Sequence, residues 1–158
     1  MMTEERFTRL AHRYMDMVFR LAYSYLKCSA DAEDVTQNVL LKLYQADETA
    51  FRSEQHIRYW LVRVTANECK SLFRAPWRRA EPLEAFMGTL ELPGPEHEDL
   101  FRAVMALPAK YRVVIHLYYF EGYSSDEIAG LLDIPAATVR TRMARARAQL
   151  KNFLTEAQ

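Results

Sequence analysis

Nowhere in these 158 residues do eighteen apolar side chains run together, so no segment reads as a bilayer-spanning helix. The opening Met1-Met2-Thr3-Glu4-Glu5 carries acids where a secretory signal carries bases. A cytoplasmic protein without direct membrane insertion is expected. Cysteine is scarce: Cys28 and Cys69 form no Cys-x-x-Cys pair and have no metal-spaced histidine nearby, which predicts two buried small hydrophobes rather than a disulfide or zinc site. His12, His56, His97 and His116 are scattered, without the pairing that a metal or a nucleophile and its base require. The four glycines make no phosphate-cradling loop, and Asp34 with Glu68 makes no acid/base pair. No catalytic residue, metal, cofactor or small-molecule substrate is therefore expected; the chain does not read as an enzyme.

Net charge is also missing, since 21 basic residues balance 21 acidic ones. The balance is uneven along the chain. Residues 138–151 hold Arg140, Arg142, Arg145, Arg147 and Lys151 with no acid, whereas residues 81–99 hold six acids and no Lys or Arg. Half of all residues are apolar, which excludes a mainly disordered chain.

Helical periodicity organises what is present. Phe7, Leu10, Ala11, Tyr14, Val18, Leu21, Ala22 and Tyr25 recur at three- and four-residue steps, predicting one helix of about six turns with Thr3 as its N-cap. A second helix starts after Ser29, buries Ala32, Val35, Val39 and Leu43, and ends near Gln45, with Asp31, Glu33 and Asp34 favouring its first turn. A third covers 55–74 with Ile57, Trp60, Leu61, Val64 and Leu72 inward and Pro76 as its stop. Four prolines and two glycines fall within 76–95, where periodicity weakens. Beyond it, Leu100, Val104 and Leu107 mark a short helix, and Pro108 suits the first turn of another that reaches Phe120 before Gly122. No strand pattern occurs. The expected fold is all-α, with two small helical domains, 1–75 and 96–158, joined by a flexible acidic linker, 76–95.

The last domain carries the sharpest signal. Ser124-Ser125-Asp126-Glu127 is a capping box; the helix it opens ends at Leu132, and Asp133-Ile134-Pro135 separates it from a helix beginning at Ala136. That is helix-turn-helix spacing. Winding the last helix at 100° per residue puts Val139, Met143, Ala146, Leu150 and Phe153 inward and Arg140, Thr141, Ala144, Arg145 and Ala148 outward, with Arg142 and Arg147 at the edges. Small residues between bases let such a helix enter the major groove, where Arg pairs with guanine through two donors. Arg140, Thr141 and Arg145 are the candidate base readers, Ala144 suits a thymine methyl, and Thr138 and the edge arginines suit phosphates. A solvated basic face is the plainer alternative.

Four segments in order resemble the extracytoplasmic-function (ECF) group of bacterial RNA polymerase sigma factors across nearly the whole chain. They are Asp31-Ala32-Glu33-Asp34-Val35-Thr36-Gln37, Arg58-Tyr59-Trp60-Leu61-Val62-Arg63-Val64-Thr65-Ala66-Asn67, Leu107-Pro108-Ala109-Lys110-Tyr111-Arg112, and Thr138-Val139-Arg140-Thr141-Arg142 with Arg145-Ala146-Arg147. The resemblance implies a first domain that docks on core RNA polymerase through Asp34, Gln37, Asn38 and Leu41, with Asn38 where the family commonly has an acid. It implies that Phe51, Arg52, Tyr59, Arg63, Asn67 and Lys70 open and hold the −10 promoter element, and that the second domain reads the −35 element. Trp60 is assigned to the core beside Leu61 and Val64. An anti-sigma factor is the implied further partner, beside core polymerase and promoter DNA. A stand-alone helix-turn-helix regulator and a helical protein-binding adaptor are the competing readings.

Overall fold

The computed structural model describes residues 1–74, 80–83 and 95–156, and the chain separates into two compact units, Met1–Arg79 and Ala80–Gln158. Most of the expected linker, and the stop assigned to Pro76, lie outside the described residues. All the longer elements among the described residues are helices.

Helix α1 (Glu4–Leu26) starts where Thr3 Oγ1 accepts the Arg6 amide and ends at Lys27, whose left-handed backbone returns its N–H to Tyr23. Leu10, Tyr14, Met17, Val18, Leu21, Ala22 and Tyr25 are buried, while Phe7 and Ala11 are half-buried. Helix α2 (Ser29–Gln45) buries Ala32, Val35, Val39 and Leu43 as expected, plus Thr36, whose hydroxyl bonds back to the Ala32 carbonyl at 2.7 Å. Its cap position is Cys28, without a side-chain bond, so Cys28 is only half-buried and the expectation of a buried thiol holds for Cys69 alone.

Helix α3 (Glu54–Phe73), capped by Ser53, crosses both others. Its buried row is Ile57, Leu61, Thr65 and Cys69 with Val62 and Ala66 beside it, an i, i+4 progression. The expected inward stripe was rotated relative to this one. Trp60 and Val64 are half-buried, each about 100° around the helix from its neighbour in that row, Leu61 and Thr65, and Leu72 is half-buried in the last turn.

In the second unit α4 (Pro95–Ala106) buries Ala103, Val104 and Met105 but leaves Leu100 exposed. Pro108 stands at the cap position before α5 (Ala109–Ile115), one residue earlier than expected. Helix α5 then widens into one π-helical turn, His116–Phe120, where the Glu121 amide reaches back five residues to the His116 carbonyl. Gly122 follows at φ +77°, the left-handed region open to glycine. The turn between α4 and α5 is held by a buried cation: Arg112 Nη1 donates to the Leu107 carbonyl at 2.7 Å and to Met105 at 3.4 Å. These are the carbonyls that a helix C-terminus leaves unpaired, and they carry its negative dipole end.

Helix α6 (Ser125–Leu132) opens on the reciprocal capping box of Ser124 and Glu127, and α7 (Ala136–Glu156) follows after Asp133 at φ +56°. Val139, Met143 and Ala146 are buried, Leu150 is half-buried and Phe153 is exposed. The expected inward stripe therefore runs out after two turns, where α7 extends past the elements that cover it.

Replacing Arg112 with Met should keep the aliphatic packing and lose the carbonyl bonds. Urea unfolding followed by circular dichroism is expected to show about 1.5–3 kcal/mol less stability, the range for hydrogen bonds to a charged group.

Candidate nucleic-acid interface

The outer face of α7 follows from its buried one. With Val139, Met143 and Ala146 seated in the core, Arg140, Thr141, Ala144, Arg145 and Ala148 are all exposed, and Thr138 and Arg142 are half-buried at the margin. Ala137, Thr138, Thr141, Arg142 and Arg145 line a concavity of about 340 Å³ whose other wall is Lys110 and Tyr111 of α5. Three cations and three hydroxyls meet there with no carboxylate, a composition suited to a phosphate-bearing ligand. Lys110 and Tyr111 were not assigned to a site from the sequence, where nothing announced that α5 would stand beside α7.

Arg147 departs from its expected role at a phosphate. Its Nε donates to the Tyr119 hydroxyl at 2.9 Å, and its guanidinium lies over Tyr118 and Tyr119, 5.6 and 5.7 Å from their ring centres. The π-helical turn is what presents this aromatic pair, since the added residue pushes Tyr118, Tyr119 and Phe120 outward. Tyr119 and Phe120 border an apolar groove of about 590 Å³ lined by Leu100, Val104, Ile115, Leu150 and Leu154.

In the first unit Asp34, Gln37, Asn38 and Leu41 are exposed along one side of α2, with Leu41 the large apolar residue among them at 53% exposure. Asp34 and Asn38 border a groove of about 400 Å³ between α2 and α3, together with Asp31, Val35, Glu68, Ser71 and Leu72; Gln37 and Leu41 lie outside it. The groove is acidic, although Glu68 is paired with Lys42 across the two helices.

A second constellation gathers at the start of α3. Phe51 packs edge-on against His56 and Trp60, 5.5 and 5.4 Å between ring centres, and the Arg52 amide donates to His56 Nδ1. Tyr59, Arg63, Asn67 and Lys70 continue along the helix, half-buried or exposed. Trp60 is not a core residue: it shares a helical face with Arg63 and Asn67 at i, i+3 and i+7, and that spacing was the signal the core assignment passed over. Ahead of this cluster a 3-10 turn, Glu48–Ala50, is capped by Asp47, which accepts from both the amide and the hydroxyl of Thr49. Those two bonds hold the Asp47 carboxyl below its ordinary range.

The residues expected from the sequence thus fall on three surfaces: the outer face of α7, the outer side of α2, and the loop before α3 with one side of that helix. Cys69 is buried, and no group of three potential metal ligands occurs among the described residues.

Family models describe these same stretches. The model for sigma-70 region 2 matches residues 10–79, and that for sigma-70 region 4 matches residues 97–150. The ECF RNA polymerase sigma-E factor of Escherichia coli (strain K12) is 33% identical over 167 residues, spanning 94% of this chain and 86% of that protein. Among solved structures, CnrH in complex with the cytosolic domain of CnrY is 26% identical with a TM-score of 0.70, covering 99% of this chain and 92% of that one. The sigma factor RpoE in complex with the anti-sigma factor NepR from Bartonella quintana has a TM-score of 0.74 at 21% identity, covering 96% and 98% of the two chains, a likeness of fold.

Because its folded carboxyl is the more acidic, Asp47 stabilises the 3-10 turn above its unfolded pKa and ceases to as pH falls through the lowered folded value. The Thr49 amide resonance should titrate with a midpoint below 3.8 in an NMR pH series, and Asp47→Asn should abolish that titration.

Proposed function

From the premise that this chain belongs to the ECF group of RNA polymerase sigma factors, and so acts as an alternative sigma factor with no reaction of its own, we propose how its surfaces divide the work of promoter recognition. Residues 1–75 bind core polymerase and the −10 element, residues 96–158 bind the −35 element, and 76–95 link them. The observation that carries this reading is the acid-free outer face of α7, where Arg140, Thr141, Ala144 and Arg145 are exposed together beside a concavity without a carboxylate.

Laid in the major groove, α7 brings Arg140 and Arg145 to base edges, about a turn and a half apart, with Thr141 and the Ala144 methyl between them. Thr138 and the rim of the concavity meet the backbone and set the register of the helix on the duplex. Asp34, Gln37, Asn38 and Leu41 of α2 dock on polymerase, a polar patch around one apolar anchor. At the head of α3, Phe51, Tyr59, Arg63, Asn67 and Lys70, with Arg52 and Trp60, receive the separated strand of the −10 element. Stacking on such rings contributes about 1–3 kcal/mol per base, which offsets the cost of unstacking.

The two solved relatives are each bound to a second protein, and an anti-sigma partner of that kind is proposed here. Work on polymerase and promoter places the chain in the cytoplasm; no helix among the described residues is long and apolar enough to cross a membrane. A stand-alone regulator would footprint its site without polymerase. In a neutral chain few phosphates are neutralised, so this chain alone should bind promoter DNA weakly.

Run-off transcription over a genomic promoter pool tests the reading. Core enzyme plus this chain should start transcription at promoters sharing a −35 and a −10 element, and core enzyme that neither binds it nor gains transcription would refute the assignment. Arg140→Ala or Arg145→Ala should cost about 1–3 kcal/mol of discrimination at the base concerned. Arg147→Ala should leave −35 selectivity nearly intact, since that side chain is engaged by Tyr118 and Tyr119.

A further inference from the structure

The loop between α2 and α3 is bound to the first three turns of α1 at more points than its own length requires. At its entrance the Met2 amide donates to the Tyr44 carbonyl at 3.1 Å, and Phe7 packs edge-on against the Tyr44 ring at 5.1 Å. Met2 is buried although it precedes the helix. In the middle, Arg6 pairs with Glu48 of the 3-10 turn; both side chains are about a third exposed, and Arg6 Nε is buried. At its exit Arg13 Nη1 lies 2.7 Å from Glu54 Oε1, in the first turn of α3. Arg13 also lies over the Tyr14 ring, and burial together with the nearby Glu54 carboxylate raises the Tyr14 hydroxyl above its ordinary pKa. Between the two ion pairs stand Phe51 and Arg52, held in turn by His56 and Trp60.

Stability does not account for this arrangement. Ion pairs at this exposure contribute little to folding, and the core of the first unit is already made by the aliphatic rows of α1, α2 and α3. What two pairs on either side of Phe51 and Arg52 do well is restrict the conformations of the segment between them. A loop that must accept an unstacked base gains when its shape is set before the base arrives, because the ordering cost is not then paid at binding.

We propose that Arg6 and Arg13 are positioning residues for −10 element recognition: by clasping Glu48 and Glu54 they hold the loop that carries Phe51 and Arg52 in the shape that receives the separated strand. This rests on the −10 assignment above. Neither arginine needs to touch DNA, and both act through the loop.

The test is a charge-swap series in the full-length chain, assembled with core polymerase on a promoter carrying 2-aminopurine in the −10 element. The variants are Arg6→Glu, Glu48→Arg and the two together, then Arg13→Glu, Glu54→Arg and the two together, with Arg6→Lys as a conservative control. Each reversal is expected to lower the preference for the cognate −10 element over single-base variants by about three- to fivefold, the scale of an exposed ion pair. Affinity for core polymerase and the thermal unfolding midpoint should stay close to the starting protein, while the double swaps and Arg6→Lys recover most of the preference. Unchanged −10 preference in the reversals overturns the proposal. So does a loss that tracks core affinity and unfolding and is not recovered by the swaps, because that is the pattern of a purely structural pair. The starting protein separates the two levels: failure to raise 2-aminopurine fluorescence at all would refute the −10 assignment, whereas normal opening with insensitive variants refutes only the clasp.

Discussion

A helix can bury one stripe, and burying Val139, Met143 and Ala146 is the constraint on which the second unit depends. Once those three side chains are seated, the rotation of α7 about its axis is settled, and with it the identity of every residue the helix offers to solvent. The remaining elements serve that seat. Arg112 ties the α4 and α5 turn from inside, and the capping box of Ser124 and Glu127 fixes where α6 begins. Asp133 turns the chain through a left-handed backbone so that α7 leaves at the angle its stripe requires. A slip of one residue in this register would rotate Arg140 and Arg145 by about 100° and bring Thr138 or Ala144 toward the core.

The first unit meets a different demand, because its proposed partner surfaces lie on a helix side and on a loop. The α2 side needs only that Ala32, Val35 and Val39 stay buried for Asp34, Gln37, Asn38 and Leu41 to stay out. The loop has no such guarantee. Between Ala46 and Ser53 its residues are exposed or half-buried, and its shape comes from polar bonds and ring edges: Asp47 to Thr49, Arg52 to His56, Phe51 against Trp60, and the ion pairs to α1. Such bonds give way more readily than a packed core, so local opening should begin there.

Much of this was legible in the sequence where periodicity is strong. The ends of α1 and α2, the capping box, the Asp133 turn and the α7 face all follow from apolar spacing and cap chemistry, which are local rules. The failures fall where non-local packing decides. Trp60 and Val64 read as core because they adjoin Leu61, yet the row that meets α1 and α2 runs through Leu61, Thr65 and Cys69, and a threonine in a buried row carries no apolar signal. Phe153 continues the α7 stripe in spacing but is left 46% exposed. The π-helical turn, the hold of Tyr119 on Arg147 and the arrival of Lys110 beside Thr141 join residues from different elements, and no spacing rule encodes them. A buried arginine is likewise opaque: nothing local to Arg112 announces its carbonyl partners.

Charge explains why two modest surfaces are enough. The proposed reading helix sits in a chain whose net charge is zero, so counterion release should not hold it on DNA unaided, and non-specific binding should be correspondingly weak. Weakness in each part is useful when the parts are joined. On polymerase, binding by one unit raises the effective concentration of DNA seen by the other, and occupancy then follows the sum of two free energies while either alone remains transient. On the proposed assignment specificity sharpens for the same reason, since a wrong base under Arg140 or at the Phe51 loop would each subtract from a total that has little to spare. Raising the charge of α7 would increase affinity at every sequence alike. On the proposed reading, what separates one promoter from another is the placement of a few side chains, by the buried stripe of α7 and by the bonds that shape the loop ahead of α3.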